Sequence, residues 1–156
     1  MSQKNIALDD LDRKILNAVS HNARITITDL STQVGLSKTP CNARLKRLET
    51  DGFILGYRAL LDPVKMGLDH IAFVEVKLSD TRAKALDEFN DAVRKISAIE
   101  QCHMIAGGYD YLLKVRSRNI SDYRKFLGET LSTLPYISQT STYVAMEAVK
   151  EDVLLD

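Results

Sequence analysis

Apolar positions along the first fifty residues recur at helical spacing. Leu11, Ile15, Ala18 and Val19 fall at i, i+4, i+7 and i+8, one face of a helix predicted from Asp9 to Asn22 with Asp9 or Asp10 as its N-cap. Thr28 caps a short second helix that buries Leu30 and Val34 and stops at Gly35, where a left-handed residue is needed. Ser37 opens a third helix, whose first turn tolerates Pro40 because N–H groups there lack an intrahelical acceptor. On it, Cys41, Leu45 and Leu48 share one face, and Thr39, Asn42, Ala43, Lys46 and Arg47 take the opposite side. The following "DGFILGYRALLD" suggests a Gly turn and an extended wing carrying Tyr57 and Arg58.

After Pro63 and Gly67 the period changes. "HIAFVEVKLS" alternates, with Ala72, Val74, Val76 and Leu78 on one face of a strand. Thr81 to Ile96 place Leu86, Phe89, Val93 and Ile96 at helical spacing, and "AIEQCHMIA" and "YDYLLKVRS" give two strands joined across Gly107-Gly108. "SDYRKFLGETLSTL" is a helix carrying Tyr123, Phe126 and Leu127, and "ISQTSTYVAMEAVK" closes as a long strand. The order is βαββαβ, so the fold class is α+β: an N-terminal winged helix-turn-helix and a C-terminal ferredoxin-like domain. The boundaries are 1–60 for the first domain, 61–69 for a linker and 70–156 for the second. The first and third strands are apolar on both faces, which predicts that a second copy covers the side the helices leave open.

Charge separates the two parts. Residues 1–60 hold nine Lys/Arg against six Asp/Glu, and residues 61–156 hold twelve against fifteen, so a polyanion should meet the first part. No apolar run approaches the roughly 18 residues of a membrane span, and the polar "MSQKNIALDD" lacks a signal-peptide core. A cytoplasmic protein without membrane attachment is expected. Cys41 and Cys102 are far apart and predicted to be buried thiols, not a disulfide or metal site. His21, His70 and His103 are scattered, and Cys102 and His103 must point to opposite faces of their strand, so neither an enzyme nor a cofactor is expected.

Two places carry chemistry. The third helix gathers Lys38, Arg44, Lys46 and Arg47, and a helix of this kind fits the major groove, where Asn suits adenine edges and Arg or Lys suits guanine or phosphate. Thr39, Asn42, Lys46 and Arg47 are expected in the groove, with Ser37, Lys38 and Arg58 on phosphates; the bland alternative is a solvated surface helix. In "AGGYDYLL", Gly107 and Gly108 permit positive φ and leave N–H groups open for a carboxylate, while Asp110, just beyond Tyr109, can accept from an ammonium group. An amino acid needs both features; a tight hairpin with Asp110 bonding its own turn needs neither. The aromatics of "GYDYL" also resemble an RNA-stacking strand, but the intervening Asp and the acidic domain oppose that reading.

Together "VGLSKTPCNARLKRLETDGFILGYRALLDP", "QCHMIAGGYDYLLKVR", "YRKFLGETLSTLP" and "TYVAMEAVK" resemble the Lrp/AsnC (feast/famine) transcription regulators, most closely the leucine-responsive members. The resemblance runs from about Leu8 to Lys150. It implies a RAM/ACT-like second domain, homodimers assembling to tetramers or octamers, action on double-stranded DNA at the nucleoid, and an amino-acid effector, leucine or proline-like, between dimers. The effector motif would be Gly107 and Asp110, with Met104, Thr140, Thr142 and Val144 completing the pocket. Close relatives usually carry Pro where Lys38 stands, Glu where Ala43 stands, an acid where Gly108 stands and Gly where Tyr136 stands. An effector-independent architectural DNA protein, or an amino-acid-sensing enzyme partner that never meets DNA, are the rival expectations.

Overall fold

The computed structural model describes residues 7–151, so Met1–Ile6 and the last five residues of the expected 70–156 span lie outside the described residues. The chain forms two compact units, one running to Leu60 and one from Leu61 to Val149.

In the first unit α1 (Asp10–His21), α2 (Ile27–Val34) and α3 (Lys38–Thr50) enclose a core of Ile15, Ala18, Val19, Leu30, Val34, Cys41 and Leu48. Asp9 caps α1 reciprocally with Asp12: each side chain accepts the other's N–H, at 2.8 and 3.2 Å. The α2 cap is Thr26, not Thr28. Its hydroxyl accepts from Asp29 N–H (3.1 Å) and donates to the Asp29 carboxylate (2.7 Å), a pairing that needs an acid three residues on, and three residues after Thr28 stands Ser31. Gly35 ends α2 at φ 77° as expected. Beyond α3, residues 54–62 form no strand, so the expected wing is an irregular segment here.

The second unit builds a four-stranded antiparallel sheet from β1 (His70–Leu78), β2 (Ile99–Met104), β3 (Tyr111–Ser117) and β4 (Ile137–Val144), in the order β2-β3-β1-β4. Helices α4 (Ala83–Val93) and α5 (Ile120–Glu129) pack Phe89, Val93 and Tyr123 onto Ala72, Val74, Val76, Tyr111, Leu113 and Val115. The expected βαββαβ order and the inward face of β1 are present. The last strand is shorter than the predicted 137–150: Ala145 N–H, bonded to Ile71 O at 2.9 Å, makes its final ladder bond, because β1 starts at His70 and offers no partner further on. Tyr136 enters β4 at φ 64°, the left-handed position where glycine was expected among relatives.

Residues 61–69, expected as a linker, belong to the second unit, and the Leu68 carbonyl accepts from Arg116 Nη1 at 3.0 Å. The sheet face away from the helices is less apolar than predicted. It carries Ile71, Phe73, Glu75 and Lys77 on β1 but only Leu112 beside Lys114 and Arg116 on β3, and both cations pair with Glu100. Cys41 is fully buried, while Cys102 is half-buried, and burial pushes both thiols up. No helix among the described residues is long and apolar enough to cross a membrane.

Candidate DNA and effector sites

Helix α3 presents the first candidate site. Thr39, Asn42, Ala43 and Lys46 are exposed on its outer side, and the side chains of Lys38, Asn42 and Lys46 have no partner among the described residues. Ser37 occupies the N-cap, but its hydroxyl makes no cap bond and no acid lies in the first turn. The positive end of the helix dipole is therefore open to an anion. Arg58 is exposed in the segment beyond α3, which Tyr57 ties back by donating to Glu49 at 2.8 Å. Burial, with Glu49 adding to it, pushes the Tyr57 hydroxyl up to about 12, so it remains a donor throughout the physiological range.

Arg44 and Arg47 are placed differently from the expectation. Both turn toward α1, where Arg44 Nη1 lies 2.6 Å from Asp9 Oδ2 and 2.9 Å from Asp12 Oδ1, and Arg47 pairs with Asp12 Oδ2. The reason is helical geometry: three residues turn about 300°, leaving the two side chains about 60° apart on a flank between the core face and the outer face. The Asp12 N–H bond and the Arg44 guanidinium hold the Asp9 carboxyl below its usual range, and Asp9 and Asp12 in turn raise Arg44. Asp12, only 1% exposed, was missed in the sequence. Its signal was there: it lies three residues before Ile15 and seven before Val19, an acid on the apolar face of α1 that required cationic partners.

The second candidate site surrounds the β2–β3 turn. Gly107 and Gly108 are exposed and their N–H groups are unbonded among the described residues. Neither has the positive φ the sequence permitted, and a methyl at either position would meet nothing within 4 Å. The Asp110 carbonyl closes its own turn by accepting Ile105 N–H at 2.9 Å, but its side chain points away from that turn. Its Oδ2 accepts Leu78 N–H at 2.8 Å, its Oδ1 lies 3.4 Å from Lys77 Nζ, and its own N–H donates to Val76 O at 2.9 Å, so the carboxylate is held against the end of β1 with lone pairs to spare. Tyr109 shares a 2.7 Å bond with Ser141 on β4.

Of the remaining expected effector residues, Thr140, Thr142 and Val144 alternate along one face of β4, but Met104 is not brought to them. Met104, Tyr111, Val76 and Thr140 stand opposite one another across all four strands, so Met104 and Thr140 occupy opposite edges of the sheet. Three interstrand steps separate them by about 14 Å, more than one amino acid spans. Thr142 shares a 2.6 Å bond with Tyr123, and Val144 is exposed. A shallow hollow of about 240 Å³ on α5, lined by Asp122, Lys125, Phe126, Glu129 and Thr130, contains none of these residues.

Comparison with known proteins covers both units. Residues 8–54 match a winged helix-turn-helix DNA-binding model, and residues 71–155 match the Lrp/AsnC ligand binding domain. A proline dehydrogenase transcriptional activator of Rhizobium radiobacter is 61% identical over 150 residues, covering 96% of each chain. The leucine-responsive regulatory protein of Escherichia coli is 48% identical over 144 residues, 92% of this chain and 88% of that one. Among solved structures, a Neisseria meningitidis transcriptional regulator in complex with L-Met superposes with a TM-score of 0.89 at 31% identity, covering 96% and 97% of the two chains. An AsnC family regulator of Agrobacterium tumefaciens gives 0.90 at 33%, with the same coverage. With both halves matched in order, the chain belongs to the Lrp/AsnC family of DNA-binding transcription regulators.

Proposed function

We propose that this regulator reads duplex DNA with the outer face of α3 and is switched by a small neutral amino acid of the leucine or proline kind. The observation that carries the DNA part is the unpartnered polar face of Asn42 and Lys46 beside an uncapped, acid-free helix start. Thr39, Asn42 and Lys46 enter the groove; Ser37, Lys38 and Arg58 take phosphates. For the effector, the free N–H groups of Gly107 and Gly108 receive the carboxylate and the spare lone pairs of Asp110 receive the ammonium group. The names of the relatives, with proline and leucine in them, and the L-Met complex of one solved neighbour support this ligand class.

The separation of Met104 from Thr140, Thr142 and Val144 supports a site completed by a second copy. The open sheet face around Phe73 and Leu112 pairs two chains, and dimers meeting edge to edge as tetramers or octamers bring the β2–β3 turn of one against β4 of another. Such a regulator works in the cytoplasm on the nucleoid. The hold of Leu78 and Lys77 on Asp110 favours one second reading, an architectural protein of the same fold without an effector.

The test combines a thermal-shift panel of the twenty amino acids with anisotropy titration of DNA from upstream of the chain's own coding region. An amino acid at about 100 times its dissociation constant adds roughly 2.7 kcal/mol, and a shift confined to one or a few neutral amino acids is expected. Lys46→Ala should weaken DNA binding and reduce the log–log salt slope by about 0.9. Wild-type affinity in that variant removes Lys46 from the interface, and a flat amino-acid panel leaves the architectural reading.

A further inference from the structure

The cations of α3 fall into two sets. Lys38 and Lys46 have no side-chain partner among the described residues, whereas Arg44 and Arg47 both end on Asp12, whose side chain is 1% exposed. Every oxygen of that carboxylate is engaged. Oδ1 takes Arg44 Nη1 at 2.9 Å, and Oδ2 takes Arg47 Nη2 and the Asp9 N–H, the latter at 3.2 Å. With the Arg44–Asp9 pair the cluster holds two acids and two bases, so it is closed in charge as well as in hydrogen bonds.

Two guanidiniums gripping separate oxygens of one buried carboxylate resist rotation of α3 about its own axis. The resistance matters because a helix with its side chains is about 10–12 Å across, so a 20° turn moves an outward tip by about 2 Å. That is the difference between a hydrogen bond to a base edge and none. We propose that Asp12 is a positioning residue for DNA reading, which sets the rotation of α3 through Arg44 and Arg47, and that these two arginines act inside the protein and not on DNA phosphates. The inference rests on the proposed reading of DNA by α3. It predicts a specific failure: without Asp12 the basic charge remains but no longer faces the bases in register, so sequence selectivity goes while electrostatic affinity stays.

The experiment uses the full chain, a 30-base-pair duplex enriched from a random-sequence pool by the wild-type protein, and a shuffled duplex of the same composition. Anisotropy titrations run over a NaCl series. Asp12→Asn should lose at least tenfold in affinity for the enriched duplex while holding or gaining affinity for the shuffled one. Because removing a buried acid can unfold the first unit, Arg47→Gln, which trims a side chain 43% exposed, carries the same test. It should lose selectivity with its salt slope unchanged, whereas each phosphate contact is worth about 0.9 of slope. Wild-type selectivity in a folded Asp12→Asn overturns the inference. So does a drop of about 0.9 in slope with selectivity intact in Arg47→Gln, which would make Arg47 a phosphate contact. If the wild-type protein enriches no duplex at all, the reading of DNA by α3 itself fails, and this inference with it.

Discussion

Replacing Gly107 by alanine sets stability and ligand binding against each other. Gly107 does not use a positive φ, and an added Cβ would meet no atom within 4 Å, so alanine fits the folded chain without strain. It also narrows the unfolded ensemble, and substitutions of this kind stabilise by about 0.4–1 kcal/mol. For a unit the size of Leu61–Val149 that corresponds to a rise in melting temperature of about 2–8 °C. The same methyl group stands beside the unbonded N–H groups that are proposed to receive the effector carboxylate, so the ligand-induced shift should disappear. Scanning calorimetry of wild type and Gly107→Ala, each with and without the amino acid found in the panel, reads both effects at once. The expected pattern is a higher midpoint without ligand and no further rise with it. A retained ligand shift would show that the carboxylate docks elsewhere, and a lowered midpoint would refute the account of an unstrained, open turn.

Two further outcomes are expected. Phe73→Arg places a cation opposite Lys114 on the open sheet face and should convert dimers to monomers in sizing chromatography without changing the midpoint of urea unfolding of the separated monomer; an unchanged elution volume would move the dimer interface off this face. Asp9 is held below the usual carboxylate range by Asp12 N–H and Arg44, so its contribution is present above pH 3.8 and is lost as pH falls below that value. Melting of the wild-type chain from pH 7 to pH 2 should show that loss, and Asp9→Asn should flatten it.

The alternation of β1 and the spacing of Leu11, Ile15, Ala18 and Val19 were legible because each depends on one element's own period, which burial enforces residue by residue. The α2 cap was misplaced because "ITITDL" offers two threonines at the same parity, and the choice falls on the one with an acid three positions later. The overrun of β4 has a different origin, since a strand ends where its neighbour does and Val144 has no means of showing that β1 begins at His70. In the sites, the exposed outer face of α3 followed from helical angle alone. The engagement of Arg44 and Arg47 did not, because their partners lie 32 to 35 residues away in α1. By contrast, the separation of Met104 from Thr140 was implicit in the expected ferredoxin-like order, which puts the second and fourth strands at opposite edges of the sheet.

On α3, the side chains that fasten the helix and those proposed to meet DNA occupy different angular sectors. Arg44, Arg47, Cys41 and Leu48 hold it in place, and Thr39, Asn42, Ala43 and Lys46 are left over. Such a division makes the helix evolvable: the outward positions can drift from one operator sequence to another, one substitution at a time, without disturbing the seat of the helix. Lys38 and Ala43, where the family resemblance leads one to expect Pro and Glu, lie on the exposed side of that divide, where such drift costs the fold least.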